Sequence, residues 1–224
     1  MQIYPSLISS DLLNLQQTIT TFDSLCAGYH IDVMDDHFVP NLTWGPAFVN
    51  AISKKTRQPL NVHLMVSNPM AWPKRLSLRP QDMITFHYES LKIPQEIFDC
   101  IKNIHTYGCK VGIALKPETS VRILPDIVPL VDSVLLMSVN PGFSGQKFMH
   151  LTTQKIEQLV TLRTVSKTTF QIGIDGGINE STINLIQPYP IDYVSIAAGI
   201  FATPDPVESF KKLKTLLSTQ RKPL

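Results

Sequence analysis

Cysteine is scarce: Cys26, Cys100 and Cys109 are the full complement, an odd number without CxxC spacing. This argues against a disulfide scaffold and a thiolate zinc site, and reduced, partly buried thiols are expected. An excess of charge of one sign is also lacking, since 20 Lys and Arg stand against 18 Asp and Glu for a net +2. No long-range field favours nucleic acid or an acidic membrane, so the expected partner is a small molecule. Missing too are any run approaching 18 apolar residues and any basic stretch leading into an apolar one near Met1. A soluble cytoplasmic protein with no membrane or nucleic-acid partner is expected.

Linkers, low-complexity runs and shifts of composition are absent as well. With 224 residues, 43% of them hydrophobic, the chain has enough apolar material for one sizeable core, and a single domain over residues 1–224 is expected. Short segments rich in β-branched residues recur at Ile3–Ile8, Tyr29–Met34, Asn61–Val66, Met83–Tyr88, Lys110–Leu115, Ser133–Val139, Gln171–Ile174 and Tyr193–Ala197. Between most of them lie stretches of helical spacing. Leu12–Cys26, with Asp11 as its expected cap, presents Leu12, Leu15, Ile19 and Phe22 as an apolar stripe. Ala47–Lys55, Pro94–Tyr107, Thr152–Val165 and Pro206–Leu217 also read as helices, whereas Pro69–Leu78 is short and interrupted by Pro73. Eight alternating units favour an α/β fold of the closed (β/α)8 TIM-barrel type over an open doubly wound sheet. Catalytic groups in such a barrel sit at the C-terminal strand ends.

Several polar residues fall where a strand core is normally apolar. His30 and Asp32 lie two residues apart, so they share one face of their strand with Cα atoms about 7 Å apart. His63 sits in the third strand, and Asp175 follows the seventh ahead of Gly176-Gly177. Singly, each has a plain reading as a hydrogen-bonded strand residue or a turn former. Together they form a two-His, two-carboxylate set of nitrogen and oxygen donors suited to one divalent cation, Zn²⁺, Mn²⁺ or Fe²⁺. Glycines in Asn140-Pro-Gly-Phe-Ser-Gly-Gln146, at Gly176-Gly177 and beside Ala197-Ala198-Gly199 expose backbone amides after strands six, seven and eight. Open amides there suit a phosphate, although a glycine-rich turn without a ligand is the commoner meaning of such a pattern. Met34, Met65 and Met137 near strand ends read as core gap-fillers or, beside a sugar, as an apolar floor.

These motifs together resemble the ribulose-phosphate 3-epimerase family: Pro5-Ser6, His30-Ile-Asp-Val-Met-Asp35, His37-Phe-Val-Pro-Asn-Leu-Thr43, Val62-His-Leu-Met65, Asn140–Gln146 and Asp175-Gly-Gly177. The resemblance implies a metal-dependent epimerase that interconverts ribulose 5-phosphate and xylulose 5-phosphate through an enediolate. It assigns Asp32 and Asp175 as the two proton-transfer groups, and His30, Asp32, His63 and Asp175 as metal ligands. It also places Ser6, His63, Met34, Met65 and Met137 at the substrate, with Gly142, Phe143, Ser144, Gly145, Gly176, Gly177, Ala197 and Ala198 at its phosphate end. A homo-oligomer is implied too. The same residues suit an allulose-6-phosphate 3-epimerase, and a non-catalytic phosphate-binding barrel is a third reading. Two departures stand out: Asp36 replaces the family's usual Gly, and Ala197-Ala198 its Gly-Ser. The second removes a hydroxyl donor from the phosphate end. Asp36 is expected to be an exposed loop residue capping a turn.

Overall fold

In the computed structural model, residues 1–218 are described, and residues 219–224 of the expected domain lie outside them. Eight parallel strands occur at β1 (Gln2–Pro5), β2 (Tyr29–Met34), β3 (Leu60–Met65), β4 (Met83–His87), β5 (Lys110–Leu115), β6 (Ser133–Met137), β7 (Gln171–Asp175) and β8 (Tyr193–Ile196). Their ladder runs β1-β8-β7-β6-β5-β4-β3-β2. A single parallel bridge, Ser6 to His30, brings the first and last strands of that order together, so the sheet curls into a nearly closed barrel. The expected (β/α)8 fold is therefore the observed one.

Side-chain alternation divides the core in two. The outward residues Ile31 and Val33 of β2, Val62 and Leu64 of β3, and Ile172 and Ile174 of β7 join one apolar layer with the surrounding helices. Inside the barrel, Ala114, Leu135, Met137 and Tyr193 pack in a smaller cluster. The interior also carries a satisfied polar layer. Tyr193 Oη accepts from Asn61 Nδ2 at 3.3 Å and pairs with Ser133 Oγ at 3.0 Å, while Thr85 Oγ1 donates to Asn61 Oδ1 at 2.7 Å. An unpaired polar group at this depth would be costly. This layer lies beneath the C-terminal mouth.

The helices α1 (Leu15–Phe22), α2 (Pro46–Ser53), α3 (Pro94–Thr106), α4 (Leu151–Ser166), α5 (Ala198–Phe201) and α6 (Pro206–Ser218) pack outside. Helix α1 starts later than its apolar spacing suggests. Asp11 caps a separate turn by accepting Leu13 N–H at 3.1 Å and Asn14 Nδ2 at 2.8 Å, so Asn14 precedes the helix and Leu12 and Leu13 face solvent. After β3 two 3-10 turns, Pro69–Ala71 and Pro73–Arg75, replace a helix. Pro73 lacks the N–H that a continuing helix needs. All three cysteines are free and buried.

Candidate active site

Parity within the strands and register between them build the site. On β2, His30, Asp32 and Met34 lie on the face opposite the helix-packing residues, and register places Asp32 beside His63 and Met34 beside Met65. On the far side of the barrel, Met137 pairs with Asp175, and Asp175 with Ser195. Asp175 is the last residue of β7 rather than a turn former beyond it. Its carbonyl accepts Ser138 N–H at 2.8 Å, which anchors the strand end.

Four side chains converge from these strands. His30 Nε2 lies 3.1 Å from Asp32 Oδ1, 3.2 Å from His63 Nδ1 and 3.6 Å from Asp175 Oδ2. His63 Nδ1 is in turn 3.1 Å from Asp32 Oδ1 and 3.6 Å from Asp175 Oδ2. One donor atom from each residue falls within 4.8 Å of all the others. Two imidazole nitrogens and two carboxylate oxygens aimed at one point fit a divalent cation of the zinc, manganese or iron type. Both histidines are fully buried, whereas Asp175 keeps 13% of its side chain exposed. His30 Nδ1, on the ring edge away from the cluster, has no hydrogen-bond partner.

The shared environment drives the two carboxyls apart. Burial alone would raise Asp32, but the adjacent His30 and His63 hold it well below the usual carboxylate range. Burial raises Asp175, and the charge of Asp32 adds to that against the opposing pull of the histidines. His30 is lowered by burial but raised more by Asp32 and Asp175. Two carboxyls with diverging proton affinity suit opposite roles in proton transfer. Ser6 Oγ donates to Asp32 Oδ2 at 2.5 Å and fixes that carboxylate.

A cavity of about 480 Å³ opens above this cluster. Ser6, Asp32, Asp175 and the three expected methionines, Met34, Met65 and Met137, line its inner part. The histidines stand behind the carboxylates and do not line it, although His63 was expected to reach the substrate as well as a metal. Gly142, Phe143, Ser144 and Gly145 line the mouth from the loop after β6, and Gly176 and Gly177 from the loop after β7. Gly177 has φ 64°, and an added Cβ would lie 2.6 Å from Phe148 N, so backbone geometry and space both demand glycine there. Asn41 Nδ2 donates to the Gly142 carbonyl at 2.7 Å and ties the β2 and β6 loops together. Ala197 and Ala198 line the mouth at the start of α5. Gly199 also lines it, but a Cβ there would collide with the Ile178 carbonyl, so its glycine serves close packing.

Asp36 has φ 58°, which explains why glycine suits the position and why aspartate, tolerant of that region, is accepted. Its N–H donates to the Asn41 carbonyl at 2.9 Å and its side chain is exposed. Asp36→Gly should therefore leave kcat unchanged and KM little altered. Stability should move by less than about 1 kcal/mol, because relief of left-handed strain offsets the extra chain entropy of glycine. Steady-state kinetics and urea midpoints check this, and a large fall in kcat would contradict it.

Sequence reasoning passed over several residues. Asp35 Oδ1 accepts His37 N–H at 3.0 Å and Phe38 N–H at 2.9 Å, while its Oδ2 accepts both Ser67 N–H and Ser67 Oγ at 2.7 Å, joining the loops after β2 and β3. Burial raises Asp35, yet these bonds bring it down to about 2. Thr43 Oγ1 donates to the Asp32 carbonyl at 2.7 Å and accepts Met34 N–H at 2.9 Å. Ser195 lines the cavity beside Asp175 with its buried hydroxyl. Alternation along β8 was signal enough for Ser195, and an Asp ahead of a loop is a local turn signal for the His37 and Phe38 bonds of Asp35, whereas its bonds to Ser67 join segments that no local pattern connects.

The chain is 39% identical over 180 residues to ribulose-phosphate 3-epimerase of Treponema pallidum, covering 80% of this chain and 81% of that one. It is 36% identical to the enzyme of that name from Helicobacter pylori over 206 residues, 92% of this chain and 93% of that one. The Bacillus subtilis protein of the same name is 32% identical over 216 residues, 96% and 98% of the two chains. Among solved structures, KGPDC from Streptococcus mutans superposes with a TM-score of 0.69 at 12% identity over 96% of each chain, a likeness of fold alone. The ribulose-phosphate 3 epimerase family model matches residues 2–201, and on that match and these relatives the chain belongs to the ribulose-phosphate 3-epimerase family of carbohydrate isomerases.

Proposed function

We propose that this enzyme inverts C3 of a ketose phosphate, interconverting D-ribulose 5-phosphate and D-xylulose 5-phosphate through an enediolate. The observation that carries this reading is the pair Asp32 and Asp175, reaching the cavity floor from strands β2 and β7. Inversion next to a carbonyl requires a proton to leave one face of C3 and another to arrive on the opposite face. A single group would tend to return the proton it took.

In one direction Asp32 takes the C3 proton, the C–H electrons move toward the C2 oxygen, and Asp175 gives a proton to the opposite face; the reverse direction exchanges the roles. Ser6 keeps Asp32 oriented, and the three methionines border the reacting carbons and limit access of water to the enediolate. His30, Asp32, His63 and Asp175 are the residues that would hold one divalent cation, Zn²⁺, Mn²⁺ or Fe²⁺. Bound there, it supplies Lewis-acid stabilisation of charge on the sugar oxygens.

Backbone amides of residues 142–145, 176–177 and 197–198 receive the phosphate, with no serine hydroxyl at Ala198 to assist. No helix among the described residues is long and apolar enough to cross a membrane. A cytoplasmic site of action and a homo-oligomer complete the proposal.

The test is a coupled assay of the purified chain on D-ribulose 5-phosphate and D-allulose 6-phosphate side by side. Turnover with a higher kcat/KM on the pentulose phosphate is expected. Preference for the hexulose phosphate would reassign the substrate, and inactivity on both would indicate a non-catalytic barrel.

A further inference from the structure

Neither His87 nor Glu89 lines the cavity, yet both belong to a hydrogen-bonded chain that ends at the four-residue cluster. His87 closes β4 on its interior-facing parity, fully buried. Its Nε2 lies 2.9 Å from His63 Nε2, the ring nitrogen that faces away from Asp32. Its other nitrogen, Nδ1, is 3.2 Å from Glu89 Oε2. Glu89 Oε1 accepts Lys116 N–H at 2.8 Å, which holds the carboxylate to the end of β5. The His63 and His87 rings meet through these nitrogens, with centroids 5.0 Å apart and 28° between planes, and the Phe38 ring centroid lies 4.8 Å from that of His87.

This order leaves one arrangement of hydrogens that makes every contact a bond. To offer a lone pair to a cation, His63 Nδ1 must carry no hydrogen, so its Nε2 carries one. That N–H points at His87 Nε2, which must then accept. The hydrogen of His87 is thereby on Nδ1, where it is donated to the Glu89 carboxylate. A metal-binding imidazole commonly donates its second N–H to a carboxylate or carbonyl. Here an imidazole stands between ligand and carboxylate and passes the same constraint along. His30 shows the contrast, since its Nδ1 has no partner.

We propose that His87 and Glu89 are positioning residues that lock His63 in the tautomer and ring orientation needed for metal ligation. The proposal rests on the metal reading of the His30, Asp32, His63 and Asp175 cluster.

The test titrates the metal-free full-length protein with Co²⁺ alone, following the visible absorption of the bound ion and competition with a chromophoric chelator. His87→Phe keeps an aromatic ring at this position but removes the acceptor. A 10- to 100-fold loss of Co²⁺ affinity with an altered spectrum is expected, while thermal melting of the metal-free protein stays close to that of the unmodified chain. His87→Gln, whose amide oxygen reaches about as far as Nε2, should recover most of the affinity and the original spectrum. Glu89→Ala, which leaves both imidazole rings in place, should lose affinity by about 10-fold, the low end of the same range, and carries the test if His87→Phe does not fold. Wild-type affinity in His87→Phe or Glu89→Ala would overturn the proposal, as would a His87→Gln variant no better than His87→Phe. If the unmodified chain itself binds no Co²⁺, the metal reading falls and this inference with it. Failure of the variants alone leaves that reading intact.

Discussion

Asp175→Asn should lower kcat for epimerisation by about 10²- to 10⁴-fold, the usual worth of a positioned acid–base group. Proton exchange provides the sharper readout. Asn retains a carbonyl oxygen able to ligate but cannot carry the proton, whereas Asp32 remains able to take one from the face it reaches. In D2O with metal in excess, the variant should therefore exchange the C3 hydrogen of one epimer into solvent without inverting it, and leave the other epimer nearly untouched. Asp32→Asn should show the opposite preference. NMR of each substrate after incubation reads this directly. If both variants slow exchange equally for both epimers, the two carboxyls do not act on opposite faces, and the proposed division of labour is wrong.

The second large effect concerns the histidines. His30→Ala or His63→Ala removes one of four donors and leaves Asp32 and Asp175 with a single buried imidazole between them. Cation affinity should fall by more than the 10- to 100-fold typical of losing a supporting residue. Metal content of the purified variants, measured by elemental analysis, should drop well below one ion per chain, and epimerase activity should drop with it. Asp32, no longer held down by both imidazoles, should bind a proton more readily, so residual activity should shift to higher pH. Full activity in a metal-free preparation of the unmodified enzyme would count against the metal entirely.

Much of the fold was legible because its cause is local. Tyr29–Met34 and Lys110–Leu115 occur as read, since β-branched and apolar runs of that length suit a strand buried on both faces. The Leu12–Cys26 helix was read too long because its apolar spacing continues unbroken through Leu12, while Asp11 and Asn14 use side chains to hold a turn there. Likewise, Asp175 was placed just past its strand, because Asp before two glycines favours a turn when nothing else holds the backbone. Pairing with β6 and β8 carries the strand one residue further.

The site divides the same way. That His30 and Asp32 share a face follows from the two-residue period of any strand, and the sequence alone determined it, together with the eightfold βα rhythm and the motifs that mark the family. Only the tertiary structure decided that Asp175, far along the chain, comes within 3.6 Å of His30 and His63. The same holds for His87 and Glu89, which stand behind His63 in a chain of hydrogen bonds, and for the left-handed turn that accommodates Asp36. Alternation is set by consecutive peptide units and is visible in any short stretch of residues. Convergence depends on the stagger and closure of eight strands at once, and no single stretch contains it.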